Sequence, residues 1–108
     1  MSTYLIANIR VNDSEGYKDY VANVPALIEK HGGEYRVRGG EIQVLEGQWI
    51  PDRLVVLEFP DRNKATAFYN DPDYAPFREL RQAVADSALV LVDGCSLNLG
   101  TSNGKSCE

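Results

Sequence analysis

The sequence predicts an α+β domain with a split β-α-β topology, in which the elements follow the order β-α-β-β-α-β. Segments of alternating apolar residues predict four strands, and apolar residues at helical spacing separate the first strand from the second and the third from the fourth. At 108 residues, with 44% hydrophobic and 25% charged residues, the chain has the size and composition of one globular domain. Two right-handed crossovers in this order give a ferredoxin-like fold, a four-stranded antiparallel sheet with helices on one face.

The first strand and the first helix follow directly from the spacing of apolar residues. Residues 3–11 alternate between apolar and polar or larger side chains, which is typical of a strand. Asp13 or Ser14 is expected to cap a helix that runs to about His31, where a glycine pair ends it. Pro25 lies inside this span, and we expect it to kink the helix or to make it restart.

The middle of the chain predicts two further strands. Residues 35–38 and 42–45 resemble one strand that is interrupted at Gly39 and Gly40, since a glycine pair within a strand marks a bulge or a close backbone approach. Residues 53–59 form the clearest strand of the sequence, and a proline ends it.

The second half of the chain predicts a helical unit in two parts and a last strand. Helices are expected over about 61–69 and 73–85, and a strand over 87–92. The ferredoxin-like domain is therefore expected to span residues 1–94. Residues 95–108 carry few apolar groups, and we expect them to form a flexible C-terminal tail.

The strands carry apolar side chains on both faces, which predicts a homodimer. Along the third strand, Val55 and Leu57 point to one face, whereas Leu54 and Val56 point to the other. Helices can cover only one face of such a sheet, and the other would remain an apolar patch. We expect a second copy to pack against this sheet face.

Charge and hydropathy exclude several classes of partner. The net charge of −5 and the absence of a basic cluster predict no binding of nucleic acid. No stretch approaches the roughly 20 apolar residues that cross a membrane, and the N-terminus does not resemble an export signal, so a cytoplasmic location is expected. Cys95 and Cys107 match no metal motif; we interpret them as exposed thiols of the tail, with a mutual disulfide or a redox pair as alternatives.

Several short motifs in this order resemble one known family. They are Tyr17-Lys18-Asp19-Tyr20, His31-Gly32-Gly33, Val37-Arg38-Gly39-Gly40, Val44-Leu45-Glu46-Gly47, Arg53-Leu54-Val55-Val56-Leu57-Glu58-Phe59-Pro60 and Ala67-Phe68-Tyr69-Asn70-Asp71-Pro72-Asp73-Tyr74. Over residues 3–94 the chain resembles a bacterial family known only as domain of unknown function 1330, within the dimeric α/β-barrel superfamily. The resemblance implies the ferredoxin-like fold, a homodimer and a pocket between sheet and helices. It implies no particular activity, because the superfamily includes muconolactone isomerases, cofactor-independent quinol monooxygenases and haem-dependent enzymes.

Two residues are candidates for proton transfer. His31 is the only histidine, and histidine is the one side chain whose ordinary pKa lies close to neutrality. Its position at the end of a helix also fits a capping role, in which it bonds the last carbonyl groups. Tyr69 lies on a helix stripe that faces the sheet, where its ring is core and its hydroxyl is expected to seek a polar partner.

Arg38 is the first candidate for substrate binding. It precedes Gly39 and Gly40, where the missing side chains leave room for a ligand beside the backbone. A guanidinium group at this place can hold a carboxylate or phosphate through two parallel hydrogen bonds. An ion pair with Glu58 or Glu46 is the alternative interpretation.

Five further polar residues complete the predicted pocket: Asn8, Tyr17, Glu58, Tyr74 and Arg81. All five occupy strands or helix stripes that are otherwise apolar, so each needs a polar partner if it is buried. The structural alternative places the strand residues at a solvated rim and the tyrosines in the core.

Two functions are compatible with these residues. The first is a cofactor-independent enzyme that acts on a small anionic or aromatic metabolite, with isomerase, lyase or monooxygenase-like chemistry and no metal. The second is a non-catalytic homodimeric module that binds a metabolite or another protein.

Overall fold

The computed structural model describes residues 1–95, which form four strands and three helices. In chain order these are β1 (Thr3–Val11), α1 (Ser14–Lys30), β2 (Glu34–Arg38), β3 (Leu54–Phe59), α2 (Arg62–Tyr69), α3 (Ala75–Val84) and β4 (Ala85–Asp93). The strands form one sheet in the order β2-β3-β1-β4, and all neighbouring strands are antiparallel. The predicted ferredoxin-like α+β fold is confirmed.

The inner face of the sheet carries the hydrophobic core. Leu5, Ala7 and Ile9 alternate along β1 and are all buried, because the three helices pack on this face. The core contains an aromatic cluster, in which the ring centroid of Phe68 lies 4.5 Å from that of Tyr74 and 5.6 Å from that of Phe59 on β3. This cluster connects the two parts of the second helical unit to the sheet.

The outer face of the sheet carries an apolar row that no helix of residues 1–95 covers. Val37, Val56, Ile6 and Val90 are register partners across all four strands. Val37 is 41% exposed and Val90 is 58% exposed. We call these four residues the outer row.

The predicted second half of the interrupted strand is wrong. β2 ends at Arg38, and residues 42–45 belong to no strand. Gly39 has φ +72°, a left-handed conformation that turns the chain away from β3. The chain then forms an irregular arm over residues 40–52, on which Leu45 and Ile50 are 87% and 74% exposed.

The helix boundaries agree with prediction to within two residues, and the restart that was one of the two expected effects of Pro25 does not occur. Asp13 is the N-cap of α1, since its carboxylate accepts a hydrogen bond from the backbone N–H of Gly16. The helix does not restart at Pro25 and continues to Lys30. Val24 and Ile28, on either side of the proline, are both buried in the core. Their packing stabilises both halves of the helix, as tertiary contacts commonly do.

Of the predicted C-terminal tail, the structure describes Cys95 alone. Cys95 is disulfide-bonded in the structure, so the prediction of an exposed free thiol is wrong for this residue. Cys107 and the rest of the predicted tail lie outside the described residues. Within residues 1–95, no helix is both long and apolar enough to cross a membrane.

Candidate ligand-binding cavity

A cavity lies between the helices and the inner face of the sheet, with a volume of about 40 Å³. Its walls are apolar side chains of β1, β3 and α1. Within residues 1–95, the polar side chains that line it are all arginines or tyrosines. They are Tyr17, Tyr20, Tyr35, Arg38, Arg53, Tyr74 and Arg81. The structure therefore brings together four of the predicted site residues, Tyr17, Arg38, Tyr74 and Arg81.

Arg81 is the most deeply buried charge of this cavity. It lies on α3 and is only 2% exposed, so it does not extend its guanidinium group to solvent. Its Nη1 donates a hydrogen bond to Ser87 Oγ on β4, but its Nε is buried without a hydrogen-bond partner. Within residues 1–95 it forms no ion pair with a carboxylate. A buried guanidinium group without a counter-ion is costly, which favours an anion from outside the chain.

Arg53 is a second arginine of the same kind, and the sequence interpretation missed it. Its Nε is also buried without a partner. It immediately precedes β3, and its guanidinium group packs against Gly39, where a Cβ atom would collide with it. A recognisable signal was present, because Arg53 shares the alternation of Val55 and Leu57, which are both buried.

Four tyrosines surround these two arginines. The hydroxyl groups of Tyr20 and Tyr74 lie 2.7 Å apart and share a hydrogen bond. Burial raises the pKa of Tyr20, and the neighbouring Tyr74 raises it further. Burial also raises the pKa of Tyr17, although the positive charges of Arg53 and Arg81 oppose this change. These two phenols therefore stay protonated at neutral pH and can donate hydrogen bonds.

The mouth of the cavity lies beside β2 and α1. The guanidinium carbon of Arg38 lies 4.4 Å from the centre of the Tyr35 ring, which is a cation–π contact. Arg38 and Val21 are both exposed where they border the cavity. The alternative interpretation of Arg38 was an ion pair with Glu58, but Glu58 is paired with Arg36. Gly39 forms the close backbone approach that the sequence predicts, whereas a Cβ atom on Gly40 would meet no heavy atom within 4 Å.

His31 lies in a different cluster and does not line this cavity. It is the C-cap of α1, and its Nε2 lies 2.7 Å from Oδ2 of Asp71. Lys30 Nζ lies 2.9 Å from the same oxygen, and the backbone N–H of Asp73 donates to Oδ1. Hydrogen bonds from His31, Lys30 and this N–H hold the pKa of the Asp71 carboxyl far below its usual range. The cluster ties the end of α1 to the loop between α2 and α3. His31 therefore ends the helix as predicted, but its ring bonds Asp71 and not the last carbonyl groups, one of which accepts from the backbone N–H of His31.

Three other predicted residues lie elsewhere. Asn8 and Glu58 project from the outer face: Asn8 Oδ1 accepts a hydrogen bond from the backbone N–H of Asp52 at the base of the arm, and Glu58 accepts from Arg36. Tyr69 lines an adjoining polar groove of about 410 Å³ near β4, which shares Arg81 and Leu89 with the cavity. The Arg78 guanidinium carbon lies 5.0 Å from the Tyr69 ring centre. The structure does not bring these residues to the cavity.

The polar groups of this cavity are of the kind that can bind an anion. Guanidinium groups are hydrogen-bond donors only, and they bind carboxylate, phenolate or phosphate oxygens in a planar geometry. The apolar walls and aromatic rings suit a flat hydrocarbon skeleton. Within residues 1–95, no group of three or more histidine, cysteine, aspartate or glutamate side chains is placed to hold a metal ion.

Comparison with known families gives a match over nearly the whole described chain. The family model described as "Domain of unknown function (DUF1330)" matches residues 2–95. No curated protein matches the sequence.

Solved structures share the fold at low sequence identity. A protein of unknown function from Rhodopseudomonas palustris has a TM-score of 0.73 at 20% identity, over 88% of this chain and 83% of that chain. SnoaB, a cofactor-independent oxygenase from Streptomyces nogalater, has a TM-score of 0.57 at 13% identity, over 91% and 97% of the two chains. A dimeric ferredoxin-like protein of unknown function from Thermobifida fusca has a TM-score of 0.51 at 20% identity, over 86% and 91%. At these identities the similarity establishes the fold alone.

Proposed function

The chain belongs to the DUF1330 family, and from this premise we propose that it binds a small anionic metabolite, aromatic or enolic, in the cavity between sheet and helices. The family description names no activity, so the proposal depends on the side chains of this cavity. We propose further that the protein works as a homodimer, without a cofactor, in the cytoplasm.

One observation carries the binding proposal. Arg53 and Arg81 face one apolar cavity, each with a buried Nε that lacks a hydrogen-bond partner, and neither is paired with a carboxylate within residues 1–95. The chain as a whole is acidic, with a net charge of −5, so excess positive charge at this place is a local feature. An anionic ligand would supply the missing counter-ion and the missing acceptors.

An enzymatic role follows if the bound anion reacts. The arginines and phenols would stabilise negative charge that develops on a substrate oxygen, which is the main electrostatic contribution to many isomerase and oxygenase reactions. The fold supports such a role, since it is shared with a cofactor-independent oxygenase. His31 and Tyr69, the predicted catalytic residues, remain proposals that require movement toward the cavity.

The outer row supports the homodimer. Its four apolar residues lie in register across the sheet, and Val37 and Val90 are largely exposed. A second copy that packs on this face would bury them, and each large side chain buried contributes about 1.5–3 kcal/mol. The apolar arm over residues 40–52 offers a second surface for the same contact.

A thermal-shift screen with carboxylate, phenolic and quinone metabolites tests the binding proposal. A ligand that binds only the folded protein raises its melting temperature. We expect anions to raise the melting temperature and their neutral analogues to leave it unchanged. Arg53→Met should abolish the stabilisation by any anion. Arg62→Met is the matched control, because Arg62 lies on α2 and is paired with Asp93 away from the cavity. A uniformly flat screen on folded dimer would favour the non-catalytic module that binds another protein.

A further inference from the structure

The polar lining of the cavity can stabilise negative charge, but the described side chains offer nothing there that removes a proton at neutral pH. Guanidinium groups do not give up their protons in proteins. Burial raises the pKa of Tyr17, of Tyr20 and of Tyr35 at the mouth, so these phenols do not act as neutral-pH bases. Asp86 lines the adjoining groove beside Arg81, but it is exposed and paired with Arg10, whose hydrogen bond lowers its pKa. Asp71 and His31 are hydrogen-bonded to each other outside the cavity.

A cavity that stabilises negative charge but contains no base favours the ionised form of a ligand over its neutral form. A neutral phenol or enol would leave the buried donors of Arg53 and Arg81 facing an uncharged oxygen. Its conjugate base would satisfy them with a full negative charge and additional lone pairs, and charge-assisted hydrogen bonds are about twice as strong as neutral ones. Between apolar walls the dielectric constant is lower than in water, so the attraction between this anion and the guanidinium groups is stronger there.

We propose that the cavity binds a weak oxygen acid, a phenol or an enol, as its conjugate base, and that the proton is released to water. This inference rests on the proposed function and narrows its ligand class. Only the O–H bond of the ligand is broken: its electron pair stays on the oxygen, the proton leaves to solvent, and no oxidation or reduction takes place. The protein then holds an electron-rich enolate or phenolate, the activated form of such a substrate, in a mostly apolar cavity.

The size of the cavity determines how the ligand enters. A volume of about 40 Å³ is sufficient for a few water molecules but not for a whole ring. Arg38 and Val21, which border the mouth and are exposed, must move aside for a ring to enter. A phenol with a single ring is therefore the appropriate probe.

4-Nitrophenol tests the inference directly, because its absorbance changes when it loses its proton and its solution pKa lies near neutrality. The protein should be titrated into 4-nitrophenol at a pH about one unit below that pKa. We expect nitrophenolate absorbance to rise on binding, and the bound ligand to ionise at a pH about 1–3 units lower than in solution, as for an acid beside an opposite charge. A shift of one unit means about tenfold tighter binding of the anion than of the neutral form.

Two cavity variants and one control variant test whether the absorbance change depends on the arginines. Arg53→Met and Arg81→Met should each abolish most of the absorbance change, while Arg62→Met retains it. If Arg81→Met fails to fold, Arg53→Met alone carries the comparison, since Arg53 is only partly buried. An absorbance change that both cavity variants retain would overturn the inference.

Benzoate, which is ionised throughout this pH range, separates the inference from the proposed function. If benzoate binds in an arginine-dependent way but 4-nitrophenol binds as the neutral phenol or does not bind, the inference is overturned and the anion site stands. If neither ligand binds to folded protein, both are overturned. Binding of both, with nitrophenolate favoured over nitrophenol, supports both.

Discussion

The arginines on the two faces of the sheet have different partners. On the outer face, Arg10 is paired with Asp86 at 2.7 Å, and Arg36 with Glu58 at 2.8 Å, in side chains that are half exposed or more on the arginine side. On the inner face, Arg53 and Arg81 have buried Nε atoms without partners. Each exposed arginine has its counter-ion, whereas Arg81, which is buried, and Arg53, which is partly buried, have none within residues 1–95 and could be paired by an anionic ligand. The difference therefore points to the inner face as the functional one.

The largest expected effect concerns the outer face and its row of apolar residues. Val90→Asp places a charge on the proposed dimer contact, once in each copy, and like charges across an interface cost several kcal/mol. We expect the variant to be monomeric by light scattering after size-exclusion chromatography, with an unchanged circular dichroism spectrum. Ala22→Asp, on an exposed position of α1, is the control and should stay dimeric. A dimeric Val90→Asp would place the contact elsewhere, with the arm over residues 40–52 as the next surface to test.

The second effect separates a functional arginine from a structural one. Arg81→Met should weaken binding of an anion by about 10- to 100-fold, since a hydrogen bond to a charged group contributes about 1.5–3 kcal/mol. Without ligand, the same variant should unfold at an equal or higher temperature, because it removes a buried charge that has no counter-ion. Calorimetric titration and thermal unfolding measure the two quantities. A large loss of stability in Arg81→Met would instead show that Arg81 is structural.

A smaller effect follows from the glycine pair. Gly39→Ala should displace the Arg53 guanidinium group and strain a backbone with φ +72°, so we expect it to lower anion affinity severalfold and stability by about 1 kcal/mol. Gly40→Ala is a matched control, because its Cβ atom meets nothing within 4 Å. If the two variants bind the anion equally tightly, the contact between Gly39 and Arg53 is not required for binding.

The Asp71 cluster predicts a pH dependence of stability that does not involve the cavity arginines. Because the pKa of Asp71 is lowered in the folded protein, its contribution is present above the pKa of the unfolded chain, about 4, and is lost as the pH falls toward the folded value. Asp71→Asn should therefore reduce the melting temperature at neutral pH and flatten its decrease between pH 4 and more acidic values. Melting curves of both proteins across this range measure the difference, and parallel curves would contradict the assignment.

The smallest effect belongs to the paired arginines of the outer face. Arg10→Met removes an exposed ion pair with Asp86, which contributes at most about 1 kcal/mol to folding. We expect anion affinity to stay unchanged and the melting temperature to move little. A loss of anion affinity as large as that of Arg81→Met would remove the distinction between the two faces.

Much of the fold could be predicted because periodicity is a local signal. Alternation along β1 and β3 and helical spacing in α1 gave the topology, and the position of Arg81 on an otherwise apolar stripe pointed to the cavity. The arm after Gly39 could not be predicted, because its apolar residues resemble a strand whether or not a partner strand is available. The pairing of His31 with Asp71, 40 residues apart, depends on how α1 packs beside the loop before α3, which no local pattern specifies.

Calorimetric titration of the wild-type protein with benzoate and with benzamide is the most direct test of the central claim. The two ligands have nearly the same shape and differ in charge, so a cavity built around Arg53 and Arg81 should distinguish them. We expect benzoate to bind at least tenfold more tightly than benzamide, with a preference that Arg53→Met removes. Equal affinity for the two ligands, or binding of benzamide alone, would contradict an anion site in this cavity.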